Sequence, residues 1–150
     1  MKTHLSTAGE GFELNSPDAR ITIKVDAAHT DGAYELFEVD APRGPAVPPR
    51  GTPWPKAYHV LHGRMAVPVD GEVHDVGPGA CVAIPPGAPH TFTVHSPSVQ
   101  FPAISLTDAM GRFFRDVDRA VPAGTPPEEA APLLRDVVGR HGITMGEWEP

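Results

Sequence analysis

The chain has 150 residues, enough for a single domain with a buried core of its own. Its formal net charge of −7 argues against nucleic-acid binding, because that function depends on basic surfaces. The sequence has no apolar run long enough to cross a bilayer, and residues 1–10 lack the apolar segment of a signal peptide, so we expect no membrane partner.

Short apolar runs separated by proline and glycine predict an all-β domain. The chain has 19 prolines and 15 glycines, most of them between these runs. The predicted strands, in chain order, cover residues 21–25, 33–39, 57–61, 65–69, 72–76, 80–84, 90–94 and 99–106. Asp70-Gly71 predicts a tight hairpin, and the Pro/Gly-rich segment 42–49 predicts a connection. The pattern favours a sandwich or a small barrel and does not choose between them.

For two of these strands the sequence predicts further details of how they lie in the sheet. In the second, Tyr34, Leu36 or Phe37, and Val39 are candidates for the core face. In the fourth, Pro68 predicts an edge position or a bulge, because proline has no amide hydrogen for the sheet.

The C-terminal part of the chain changes to helical spacing. Met110, Phe113, Phe114 and Val117 recur at intervals that predict a helix over 108–117.

A second helix is predicted to begin near Thr125, a candidate cap, with Pro126 in its first turn. Its apolar stripe comprises Leu133, Leu134, Val137 and Val138. Gly142 is the candidate C-cap. We therefore expect a β-domain over 1–107 and a helical extension of the same domain over 108–150, which packs on the barrel or across a dimer rather than acting as a lid.

Cys81 is the only cysteine, so the chain forms no internal disulfide and a cytoplasmic location is the simplest expectation. It lies inside the apolar run 80–84. We expect a small buried hydrophobic side chain rather than a nucleophile.

The most informative motif is the run 79–90, which reads G-x5-P-x-G-x2-H and ends at His90. Upstream, the sequence YHVLHG forms a strand and turn that end at Gly63. These segments resemble the second and first motifs of the cupins, in particular single-domain cupins of the quercetin-dioxygenase-like kind. The resemblance implies a cupin double-stranded β-barrel, or jelly roll, with its motif core at 33–94 and a C-terminal helical appendage.

The metal ligands of the resembling family are missing from the first motif. The pattern places two histidines and a glutamate before Gly63, and counting back puts Arg50, Thr52 and Lys56 at those positions. Only His90 remains of the ligand set that the resemblance implies. Because protonated arginine and lysine have no lone pair to donate, we predict no metal cofactor, and if a metal is present its ligand is His90.

Other histidines are alternative metal ligands only with a local bulge. His59 and His62 are three residues apart in a strand, which places them on opposite faces. His74 lies in the hairpin return, and His95 is one residue out of phase with His90.

Strand alternation predicts a cationic, aromatic-lined pocket in the barrel. The interior-facing set is Lys56, Tyr58, His90 and Phe92, with Arg50 and Thr52 at the mouth. Trp54, between two prolines, is either a rim over the mouth or a packing anchor for a stiff loop. We predict that these seven residues bind the ligand.

Lys56 has two interpretations. A buried lysine has a lowered pKa and can act as a base or form a Schiff base. The plainer expectation for this side chain alone is that it extends out of the mouth to solvent.

Three functions remain open. The first is a metal-free protein that binds, and in one version transforms, a small organic anion such as a carboxylate or phenolate. The second is a metal-dependent dioxygenase or isomerase that uses His90 with a non-standard ligand set. The third is a non-catalytic, dimeric structural or regulatory module. Antiparallel barrels leave edges that pairing can cover, and the resemblance also implies dimers, so we expect a homodimer or a higher oligomer. The sequence does not decide whether the protein is an enzyme.

Overall fold

Two β-sheets and two C-terminal helices make up the computed structural model, which describes residues 2–16, 19–44, 47–122 and 124–146. The strands are β1 (Phe12–Ser16), β2 (Ala19–Val25), β3 (Tyr34–Pro42), β4 (Arg50–Gly51), β5 (Lys56–His59), β6 (Met65–Val69), β7 (Glu72–Val76), β8 (Cys81–Ile84), β9 (Thr93–Val94), β10 (Ser98–Leu106) and β11 (Thr144–Met145). The helices are a short 3₁₀ helix at Ala27–His29, α1 (Ala109–Ala120) and α2 (Pro127–Arg140). The predicted succession of strands followed by helices is confirmed.

The larger sheet is antiparallel, with the strand order β1-β2-β3-β10-β5-β8. The smaller sheet has two parts, the strands β7-β6-β9 and the pair β4-β11. His90 joins them, because it forms one bridge with Arg50 of β4 and another with Val69 of β6. Apolar side chains of both sheets and of the helices form one core. Its most deeply buried members are Leu14, Phe37, Val60, Met65, Val67, Ile84, Val99, Phe101 and Val137.

Each predicted strand corresponds to a strand of the structure, from β2 and β3 through β5–β10. Three short strands were not predicted: β1, β4 and β11. Part of the predicted connection 42–49, residues 45 and 46, lies outside the described residues.

In two strands, the residues that face the core differ from those predicted. In β3 the inward positions are Glu35, Phe37 and Val39, so Tyr34 is exposed and not part of the core. In β8 alternate residues face outward, so Cys81 is exposed and the prediction of a buried cysteine is wrong. An apolar run does not by itself say which of its residues face the core.

Pro68 does not lie in an edge strand, because β6 runs between β7 and β9. Its pairing with β9 stops at Ala66, before the proline is reached. The Pro68 carbonyl accepts a hydrogen bond from the Thr91 amide at 3.3 Å. The strand thus accommodates proline in a gap of this ladder, between the Ala66–Thr93 pair and the Val69–His90 bridge, and not at a sheet edge.

The first helix is as predicted: Met110, Phe113, Phe114 and Val117 are all buried on one face of α1. Within the described part of the chain, no helix is long and apolar enough to cross a membrane.

The second helix begins later than predicted, with Pro126 as its N-cap. The Thr125 hydroxyl does not cap it but donates to the Pro122 carbonyl at 2.5 Å. Of the predicted stripe, Val137 is buried, Leu134 and Val138 are half-buried and Leu133 is 40% exposed. Gly142, with φ of 69°, lies one residue beyond the C-cap His141 and ends the helix as predicted.

A buried carboxylate attaches α1 to the barrel. Glu35 is 3% exposed, and its oxygens accept hydrogen bonds from the Gly111 amide at 2.9 Å and the Ala27 amide at 3.4 Å. Burial raises the pKa of Glu35, and the two amide hydrogen bonds act in the opposite direction. The Gly111 amide belongs to the first helical turn, where amides have no partner within the helix. The strand therefore supplies the cap that the helix lacks.

Gly111→Ala should destabilise the protein, although alanine normally favours a helix over glycine. A Cβ at this position would lie 2.4 Å from a Glu35 carboxylate oxygen and would push the buried carboxylate off its amide. We expect a loss of about 1–3 kcal/mol in the free energy of unfolding, measured by urea denaturation.

Gly139→Ala in α2 is the matched control, because a Cβ there meets no atom within 4 Å. This variant should gain a few tenths to about 1 kcal/mol. Equal effects of the two substitutions would contradict the capping role of Glu35.

Candidate ligand-binding site

His90 is held in place by its backbone. Its amide and carbonyl exchange two hydrogen bonds with those of Arg50, both at 3.0 Å, and a further bridge pairs it with Val69. The turn that precedes it is bonded to the same segment, because the Gly87 amide donates to the Thr52 carbonyl at 2.7 Å. The second motif therefore places this histidine between β4 and β6, where its side chain enters the core.

The His90 ring is neutral and presents a lone pair to the barrel interior. Nδ1 lies 2.9 Å from the Ala88 carbonyl, an acceptor, so Nδ1 carries the proton and Nε2 does not. Nε2 is buried and has no hydrogen-bond partner among the described residues. Burial and the nearby charge of Lys56 lower the pKa of His90 to about 3; the Ala88 hydrogen bond acts in the opposite direction and the Arg50 charge adds to the lowering.

Lys56 is buried, with 6% of its surface exposed, so the expectation that it extends to solvent is wrong. Its strand, β5, pairs on both sides, with β10 and with β8, and this fixes the side chain on the inner face. The ammonium lies 5.8 Å from the centroid of the Tyr58 ring, a distance at which cation and ring attract. Tyr58 in turn packs on Phe101 at 4.7 Å, and Phe92 packs on the same ring at 5.6 Å.

Trp54 is a packing anchor, not an exposed rim. It is 4% exposed, and its ring lies 5.8 Å from that of Phe113 in α1. The Thr52 hydroxyl donates to the Trp54 carbonyl at 3.0 Å and orders the loop. The indole Nε1, a donor, is buried without a hydrogen-bond partner in the part of the chain that the structure describes.

Arg50 lies at the mouth and is half-buried. No salt bridge joins it to a carboxylate in the described ranges. The structure thus buries six of the seven residues predicted to bind the ligand and leaves Arg50 half-buried. The expectation that Thr52 lies at the mouth with Arg50 is wrong, because Thr52 is 1% exposed and its hydroxyl is turned to the loop carbonyl of Trp54.

Three residues near the site were not among those predicted to bind a ligand. Phe101 packs against the rings of both Tyr58 and Phe92. The Ser105 hydroxyl donates a hydrogen bond to the Pro55 carbonyl at 2.7 Å. Phe113 closes the site from the helical side. The sequence marks Phe113 as apolar on a helix, but its partner Trp54 is 59 positions away in the chain and no local pattern connects the two.

The cupin-domain family model matches residues 36–103. The chain has a cupin domain. The double-stranded barrel and its C-terminal helices are therefore those that the resemblance implied, whereas the narrower likeness to quercetin-dioxygenase-like cupins stays a prediction. No curated protein sequence matches this one significantly.

Solved structures with the same fold include KdgF from Halomonas sp., which is 16% identical, with a TM-score of 0.63 over 71% of this chain and 94% of that one. Pac13 from Streptomyces, solved with uridine, is also 16% identical, with a TM-score of 0.61 over 72% and 84%. The polyketide cyclase RemF from Streptomyces resistomycificus is 22% identical, with a TM-score of 0.53 over 69% and 73%. At these identities the similarity establishes the fold and not the activity.

The residues around His90 do not fit the metal that many cupins hold. In the described ranges, no three His, Cys, Asp or Glu side chains lie close enough together to bind a metal ion. The positions of the family's other ligands carry Arg50, Thr52 and Lys56. Two of these are cations, which offer no lone pair and repel a metal. His59 is exposed on the outer face of β5, so it does not complete a set.

The lowered pKa of His90 predicts acid sensitivity. Its folded pKa, about 3, lies below the unfolded value of 6.5, so the unfolded chain binds more protons between these values. Stability should therefore fall as the pH decreases from 6.5 towards 3, by about 2–3 kcal/mol between pH 6.5 and 4.5 from this group.

His90→Asn should remove that part of the pH dependence, because asparagine keeps a donor for Ala88 but does not titrate. Urea denaturation at both pH values measures the difference, with His95→Asn on the exposed surface as the control for loss of an imidazole. An unchanged pH slope in His90→Asn would mean that His90 is not buried in its neutral form.

Proposed function

We propose that this cupin binds a small organic anion inside its barrel without a metal ion. The observation that carries the proposal is a buried cation, Lys56, acting on His90, whose Nε2 is buried and has no hydrogen-bond partner among the described residues. The positive charge of Lys56 attracts an anion into the barrel. The buried lone pair of His90 accepts a hydrogen bond from an anion that also carries a donor.

The polar atoms of the site define the chemistry of the ligand. His90 Nε2 accepts a hydrogen bond, so it suits a ligand hydroxyl or amine. Trp54 Nε1 donates one, so it suits a carbonyl or carboxylate oxygen. Lys56 and Arg50 provide positive charge, and Tyr58 and Phe92 provide apolar contact. A carboxylate or phenolate matches this set, as does a ligand that also carries a hydroxyl group.

Two similar structures support a barrel that admits an organic molecule. Pac13 is described as a nucleoside dehydratase, and RemF as a polyketide cyclase. We extend to this chain only the small-molecule site and propose no reaction.

Purified protein should bind benzoate more tightly than the neutral analogue benzyl alcohol, as measured by calorimetry. Lys56→Met should weaken benzoate binding about 10- to 100-fold, because a hydrogen bond to a charged group is worth about 1.5–3 kcal/mol, and should leave benzyl alcohol unaffected. Lys2→Met, at an exposed lysine, is the control.

Elemental analysis of the same samples separates the alternatives. Near one equivalent of iron, nickel, zinc or manganese that disappears in His90→Asn would establish the metal-dependent function. Binding of neither compound, with no metal, would favour a packed barrel with a structural or regulatory role.

We further propose that two copies pair through the outer face of the larger sheet. The registers of β3, β10, β5 and β8 place one apolar row across four strands: Leu36, Ile104, Ala57 and Ala83. Ile104 is 43% and Leu106 54% exposed, although both are large and apolar. A two-fold axis would cover the same row on both copies.

Light scattering at high micromolar concentration should give a dimer. Ile104→Glu combined with Leu106→Glu should give a monomer, because burying two charges in an apolar face is unfavourable. Val73→Glu, at an exposed valine of the smaller sheet, is the control and should stay dimeric. A monomeric natural protein would remove this proposal.

We also propose a cytoplasmic location. Cys81 is an exposed free thiol, and a reducing compartment keeps such a thiol from forming disulfides between copies.

A further inference from the structure

An apolar cavity of about 200 Å³ lies between the mouth of the barrel and the two helices. From α1 it is lined by Phe113 and Val117, and from α2 by Leu134 and Val138. Leu134 and Val138 face the core and are nevertheless only half-buried. The helices thus present apolar surface to a space that the described residues do not fill.

One cation lies at this cavity. Among its lining residues, all of which belong to the described ranges, Arg50 alone carries a charge. As described above, no carboxylate of the described residues pairs with it. A cavity with apolar walls and one arginine matches an amphipathic anion, because the guanidinium binds a carboxylate in a two-pronged geometry while the walls take up the apolar part.

The cavity adjoins the site in the barrel. Arg50 is the strand partner of His90, with two backbone hydrogen bonds of 3.0 Å between them. Phe113 lines the cavity and contacts Trp54 of the barrel site. The cavity under the helices therefore meets the barrel site at two places: at Arg50, and at the contact between Phe113 and Trp54.

We propose that the ligand of this protein is an amphipathic monocarboxylate, whose carboxylate lies between Arg50 and Lys56 and whose apolar part occupies the cavity under α1 and α2. The inference rests on the proposed anion site and adds the class of ligand and the role of the helices. The C-terminal extension then forms part of the binding site, rather than only packing on the barrel as the sequence led us to expect.

The test is a series of straight-chain carboxylates, from acetate through butyrate and hexanoate to octanoate, titrated into the natural protein by calorimetry. Each added methylene that enters the cavity should tighten binding about fourfold, until the cavity is filled and the gain stops. Arg50→Gln should weaken every member of the series by a similar factor, because the carboxylate is common to all.

Leu134→Phe should fill part of the cavity. It should abolish the gain for hexanoate and octanoate and leave acetate unaffected. Leu133→Phe is the matched control, because Leu133 is the neighbouring leucine, is exposed and does not line the cavity. The chain-length series in the natural protein stands by itself if Leu134→Phe fails to fold.

The outcomes separate this inference from the proposed function. If acetate and octanoate bind equally, and both depend on Lys56, the anion site holds and the amphipathic ligand is wrong. If affinity rises with chain length but does not depend on Lys56 or Arg50, both proposals are wrong, because the anionic group then has no role. If no member binds while benzoate does, the anion site holds and the amphipathic ligand is wrong; if benzoate does not bind either, both proposals are wrong.

Discussion

The backbone pairing of His90 holds the site together. Its hydrogen bonds to Arg50 and its bridge to Val69 join the two parts of the smaller sheet at a single residue. The same pairing directs the imidazole into the core and brings the Arg50 backbone beside it. A residue held on both sides of its backbone has little freedom to turn its ring away. The second motif therefore joins the smaller sheet at the same residue whose ring lies in the proposed site.

The charge in the barrel interior comes from the two cationic side chains near His90. In a metal-binding cupin the interior positive charge comes from the metal, and here Lys56 and Arg50 carry it. Both charges, together with burial, oppose protonation of His90, so the ring remains a neutral acceptor at physiological pH. Lys56 and Arg50 therefore place positive charge at positions where the family pattern has metal ligands. This charge favours the anion that we propose as the occupant of the barrel.

The helices are joined to the barrel by polar and apolar contacts of different kinds. Glu35 fixes the start of α1 by accepting a hydrogen bond from the Gly111 amide, and Phe113, two residues further along, packs on Trp54. At the far end of α1, His141 beside α2 contacts Asp116 at 2.6 Å, a contact that lowers the pKa of Asp116. These contacts position both helices over the mouth. They hold an extension outside the cupin motifs beside the cavity in which we propose that the apolar part of the ligand binds.

Sequence alone predicted β2, β3 and β5–β10 but not the short strands β1, β4 and β11, because alternation and turns depend on neighbouring residues and are weak in short strands. Fixed motif spacing also predicted that Arg50, Thr52 and Lys56 stand at the ligand positions of the first motif. Only the packed structure shows that Lys56 is buried, that Cys81 is exposed and that Glu35 faces inward. Alternation divides a strand into two faces, but only pairing with other strands decides which face is covered and how deeply. The contact of Phe113 with Trp54 is likewise a feature that only the packed structure shows. Helical spacing identifies an apolar face, and only the packed chain decides what that face covers.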